Sequence, residues 1–140
     1  MINQEKKEFL QQFRLAEMEE QRLEHEIARW RSRAERMTAG YSKAPAGGGD
    51  GRSMEHTLER LGELAGELTH QWDKMVRLRR EIGAAIDTVP DARLQELLRL
   101  RYIEGMAWGR LAIAMGYDDL RWIYRMHGRA LEKLTIESHH

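Results

Sequence analysis

Apolar residues recur along the first quarter of the chain at alternating four- and three-residue steps: Phe9, Phe13, Ala16, Glu20, Leu23, Ile27, Trp30, Ala34 and Met37. Glu20 is the one charged interruption. This rhythm holds side chains on a single seam of an α-helix and predicts a long helix over roughly 4–37. A second helix is predicted over roughly 54–88 by the same pattern. Its seam is Met54, Leu58, Leu61, Ala65, Leu68, Trp72, Met75, Arg79, Ile82 and Ile86, with Arg79 as the interruption. At 1.5 Å rise per residue each helix would be about 50 Å long. The segment between them contains GYSKAPAGGGDGRS (40–53), and residues 38–53 are expected to form a flexible linker in which Ser53 caps the second helix. Matching lengths predict an antiparallel hairpin zipped along its seams. Pairing between copies of the chain, giving a homo-oligomer through the heptad helices, would use the same seams, because an apolar heptad requires a partner without naming it. Glu20 and Arg79 either meet across the seam or each reach solvent.

The remaining chain predicts three shorter helices. Thr88-Val-Pro-Asp91 opens the first, over about 91–104, with Thr88 as cap and Asp91 three residues on. Leu94, Leu97, Leu98, Leu100, Tyr102 and Ile103 surround much of its circumference, and Gly105 ends it. The next, about 107–115, carries Trp108, Leu111, Ala112 and Met115 on one face. Gly116-Tyr117 turns the chain, and Asp118 or Asp119 caps a last helix over about 119–134. On that helix Leu120, Ile123, Met126, His127, Ala130, Leu131 and Leu134 share one side. Arg121, Trp122, Arg125, Gly128 and Arg129 share the other, with Tyr124 at the border. The expected architecture is all-α: a long coiled-coil hairpin or stalk over 1–88, followed by a helix-turn-helix domain over 89–140.

Charge sharpens this picture. The 140 residues hold 23 Lys/Arg against 23 Asp/Glu, a net charge of zero, which argues against a protein that coats nucleic acid non-specifically. The balance is local, however: four Lys/Arg stand against one acid, Glu132, between Arg121 and Lys133. Arg121, Arg125, Arg129 and Lys133 recur every four residues and so stack along one stripe. A cationic stripe on the second helix of a helix-turn-helix is how such a motif meets double-stranded DNA. Arg121, Trp122 and Arg125, in the half that would enter a major groove, are expected nearest the base edges, with Tyr124 beside them. Arg129, Lys133 and, from the preceding helix, Arg110 suit phosphates. A merely solvated helix face is the competing reading; an exposed Trp and a helix-interior Gly on that face weigh against it.

Other chemistry finds little footing. The chain has no cysteine, so it forms no disulfide or thiolate metal site, and a cytoplasmic location is expected. No apolar run approaches 18 residues and no charged-then-apolar leader is present, so neither a membrane span nor a signal peptide is expected. His25, His56 and His70 lack ligand spacing, His139-His140 is a terminal pair, and His127 is expected to be a hydrogen-bonded core residue. Glu17, Glu19, Glu20, Glu24 and Glu26 read as a solvated, ion-paired helix surface. AGGGDG lacks the Lys-Ser/Thr of a phosphate cradle. Neither an enzyme nor a cofactor is expected.

Segment 97–134, LLRLRYIEGMAWGRLAIAMGYDDLRWIYRMHGRALEKL, resembles region 4 of sigma-70-type factors, a helix-turn-helix that reads promoter elements. Through RYIEG (101–105), Trp108 with LAIAMGY (111–117) and RMHGRAL (125–131), the whole chain is similar to small phage and prophage proteins related to late-gene transcription regulators of the ArpU/RinA type. The resemblance implies the fold, DNA binding and a phage regulatory role; for a regulator of this kind, a stalk that sets the spacing of DNA-binding heads or contacts RNA polymerase is expected. It implies core roles for Trp108 and His127, and places Arg121 and Arg125 where DNA is read. Two alternatives belong to other classes: a protein-interaction adaptor docking through Trp122 and the basic stripe, and a DNA-packaging component like a small terminase subunit.

Overall fold

A computed structural model describes residues 1–41 and 50–137, and every regular element among them is helical. The elements are α1 (Asn3–Tyr41), α2 (Asp50–Ile86), α3 (Ala92–Leu98), a π-helical turn (Arg99–Ile103), α4 (Trp108–Ala114) and α5 (Leu120–Lys133). The described chain is therefore all-α. No helix among the described residues is long and apolar enough to cross a membrane. Helix runs further into the 38–53 segment than its composition suggests, through Tyr41 and again from Asp50, which puts Ser53 inside the first turn of α2 and not at its cap. The rest of that segment, 42–49, and the pair His139-His140 lie outside the described residues.

Contacts divide the chain into two units: Glu17–Lys74, and Met1–Ala16 with the chain from Met75 onward. In the first, Leu23, Leu64 and Leu68 form a core flanked by Ile27 and Trp30. His56 meets Trp30 edge-on at 5.8 Å, Arg60 Nη2 donates to Glu26 Oε1 (3.3 Å), and Trp72 Nε1 donates to Glu20 Oε1 (3.4 Å). Partner numbers rise on one helix as they fall on the other, so these stretches of α1 and α2 run antiparallel within one chain.

The α1 seam lies where its spacing puts it: all nine positions from Phe9 to Met37 are at least partly buried. In α2 four of the five alternate seam positions move by one, while Ile86 stays buried. Thr57, Leu64, Gln71 and Leu78 are buried, while Leu58, Ala65, Trp72 and Arg79, expected in the seam, are exposed. Both sets keep the same period beside Met54, Leu61, Leu68, Met75 and Ile82, so side-chain chemistry decides between them. Leu64 outbids Ala65, and Leu78 spares Arg79 from losing its hydration. Thr57 tolerates full burial because its hydroxyl donates to Ser53 O at 2.8 Å. Arg79 instead stands over the Phe13 ring, 6.0 Å from its centroid.

In the second unit, Leu10 and Phe13 of α1 and Ile82 and Ile86 of α2 join one core with Leu97, Leu98, Leu111, Ile123 and Leu131. Asp91 caps α3, accepting from Arg93 N (2.9 Å) and Leu94 N (3.3 Å). Thr88, the expected cap, closes α2 by donating to Ala85 O (2.6 Å) and accepts from Thr135 N (2.9 Å). The helix expected over 91–104 loosens after Leu98 into the π turn, where Glu104 N donates five residues back to Arg99 O (2.9 Å). Gly105, at φ +75°, then reverses the chain. The α4 end is a Schellman turn: Tyr117 N donates to Ala112 O (2.8 Å) and Gly116 N to Ile113 O (3.0 Å), with Gly116 at φ +82°. Lys6 Nζ donates to Leu131 O (2.8 Å), neutralising carbonyls at the α5 C-terminus.

Candidate nucleic-acid interface

The chain enters α5 through Asp119, whose extended backbone and side chain accepting from Arg121 N (2.9 Å) make it the N-cap. Ile123, His127, Ala130 and Leu131 bury one side of the helix, and Leu134 follows it into the core. Leu120, expected on the core side, is 40% exposed. It is the first residue of the helix, where the chain has not yet reached its packed flank.

The opposite side carries the cations. Arg121, Arg125, Arg129 and Lys133 are all exposed, as is Arg110 on α4. Arg121 Nε and Nη2 reach Asp119 Oδ2 at 2.9 and 2.8 Å, yet its side chain is 84% exposed. That contact holds the Asp119 carboxyl below the usual carboxylate range, mainly through the side-chain hydrogen bond. Arg125 stacks its guanidinium on Trp122, 5.3 Å from the ring centroid, and Trp122 is 53% exposed. Among the described residues, Arg110, Arg129 and Lys133 form no ion pair.

Each flank of this face is lined differently. On the α4 side Tyr124, 48% exposed, meets Trp108 edge-on at 5.3 Å, and Arg101 covers Trp108 at 4.4 Å. Beneath them Tyr102 Oη and His127 Nε2 share a buried hydrogen bond of 2.6 Å. Burial pushes Tyr102 up to about 12 and His127 down to about 4, the latter helped by Lys7 and Arg101. On the other flank, Trp122, Met126, Arg129 and Lys133 face Asp91, Arg93, Leu94 and Tyr117 across a groove of about 500 Å³.

Arg93 escaped the sequence reading because it belongs to no repeat; only the folded turn brings it beside α5. The expected site residues Arg121, Trp122, Arg125, Arg129 and Lys133 share one helix face. Tyr124 sits at its edge and Arg110 on the neighbouring helix. Comparison with known protein families, curated proteins and solved structures finds no match.

Proposed function

We propose that this chain is a sequence-specific double-stranded DNA-binding transcription regulator, a phage or prophage type of protein that reads the major groove with α5. In this reading α4, the glycine turn and α5 act as a sigma-70 region-4-like helix-turn-helix, and the heptad helices act as a coiled-coil stalk. The observation that carries it is the outward array of Arg121, Trp122, Arg125, Arg129 and Lys133, opposite a flank pinned by Ile123, His127 and Leu131. Arg121 and Arg125 have the bidentate geometry suited to guanine O6 and N7, and Arg129, Lys133 and Arg110 suit phosphates.

Selection of bound duplexes from a random pool tests the reading, and an enriched motif is the expected result. Arg125→Ala should then lose roughly 1–3 kcal/mol of base discrimination. Unchanged duplex affinity in the double variant Arg121→Ala/Arg125→Ala would refute it. The half-exposed Trp122 and Tyr124 favour one second reading, an adaptor docking on protein. Binding to RNA polymerase without affinity for any duplex would select that reading, and a ring-sized mass in light scattering would select a packaging role.

A further inference from the structure

We infer that the groove between α3 and α5 seats a phosphodiester strand of the bound duplex, with Arg93 as a phosphate ligand facing Arg129 and Lys133. The inference rests on the DNA-binding reading and adds to it a residue outside the helix-turn-helix.

Three observations support it. First, the groove carries net positive charge: Arg93, Arg129 and Lys133 line it against one acid, Asp91, whose Oδ1 accepts from Arg93 N and Leu94 N. Second, Arg93 is anchored without being used up. Its Nε donates to Tyr117 Oη (3.1 Å), one Nη2 proton goes to Met115 O, and the guanidinium stacks on Tyr117 at 5.1 Å. A guanidinium has five N–H donors, so three remain on an exposed side chain already held in place. Third, a helix lying in a major groove about 12 Å wide has a sugar-phosphate strand on either side. Arg110, on α4, would meet one strand. The groove lies along the edge of α5 defined by Trp122, Met126, Arg129 and Lys133, where the other would run.

The test measures affinity of the full chain for a 30-base-pair duplex carrying the motif selected from a random pool, by fluorescence anisotropy between 50 and 200 mM salt. Arg93→Gln should lower the slope of log K against log salt by about one, so that its deficit relative to wild type shrinks about threefold from the lowest to the highest salt. Arg93→Lys should restore the slope, which a role confined to bracing Tyr117 would not allow, and neither variant should change which motif is selected from a random pool. Equal slopes for wild type and Arg93→Gln, with Arg125→Ala still weakening binding, would overturn this inference and leave the DNA-binding reading standing. Absence of duplex binding by wild type would overturn both. Capture of a poly-glutamate peptide without duplex binding would assign the groove to an acidic protein partner instead, again overturning it.

Discussion

Lowering the pH should destabilise this protein through one histidine. His127 is 9% exposed, shares its Nε2 with Tyr102 Oη at 2.6 Å and has Trp108 edge-on at 4.8 Å. Burial, then the positive charges of Lys7 and Arg101, hold it at about 4, whereas an unfolded histidine titrates near 6.5. Between those values the unfolded chain binds a proton that the folded chain refuses. The stabilisation is complete above about pH 6.5, is lost as pH falls toward 4, and changes no further below that. At pH 4.5 the loss comes to about 2.5 kcal/mol. Urea denaturation followed by far-UV circular dichroism, at pH 7.5 and 4.5, measures it in wild type and in His127→Gln, which keeps a hydrogen-bonding group but cannot titrate. The variant should be the less stable at pH 7.5 through lost packing, yet lose about 2.5 kcal/mol less than wild type on acidification. Equal acid-induced losses in the two proteins would refute the reasoning.

Further outcomes follow from local geometry. Asp119→Asn retains an N-capping oxygen but removes the carboxylate that holds Arg121, so duplex affinity should rise while the melting temperature changes little. Gly116→Ala should cost about 1–2 kcal/mol for a left-handed residue alone, since open space surrounds the added methyl. Gly105→Ala should cost a similar amount in thermal denaturation, because its Cβ would displace only the flexible guanidinium end of Arg14. Leu78→Ala should cost about 2–4 kcal/mol and Arg79→Ala less than about 0.5, so the reverse order would show that the α2 seam has been placed on the wrong residues.

Periodicity makes the helices, their order and the buried side of α5 legible in the sequence. Its failure in α2 is specific: a 3-4 rhythm fits two adjacent sets of positions equally, and a Trp and a Leu on the wrong set look more core-like than the Thr57 and Gln71 that are buried. Thr57 satisfies itself against its own helix, a contact that no pattern of apolar residues announces. Leu10, fully buried, lies beside the α1 seam and belongs to the core that α1 and α2 share with the later helices. Of the candidate site, the cationic stripe was legible because four-residue spacing is a property of sequence. Arg93 was not, since its position depends on a turn bringing Tyr117 and Met115 to it. Nor was the grip of Asp119 on Arg121, which a capping rule predicts for the backbone but not for the guanidinium.

The wide turn at Arg99–Ile103 makes chain length itself a structural requirement. Deleting one residue there would let an ordinary helix run on and would improve its local hydrogen bonding. It would also swing every later side chain by about 100° around the axis, carrying the phenol of Tyr102 away from the imidazole beneath α5. A shortening that looks harmless, even helpful, on a propensity scale should therefore leave a buried ring nitrogen stranded and unfasten the helix above it.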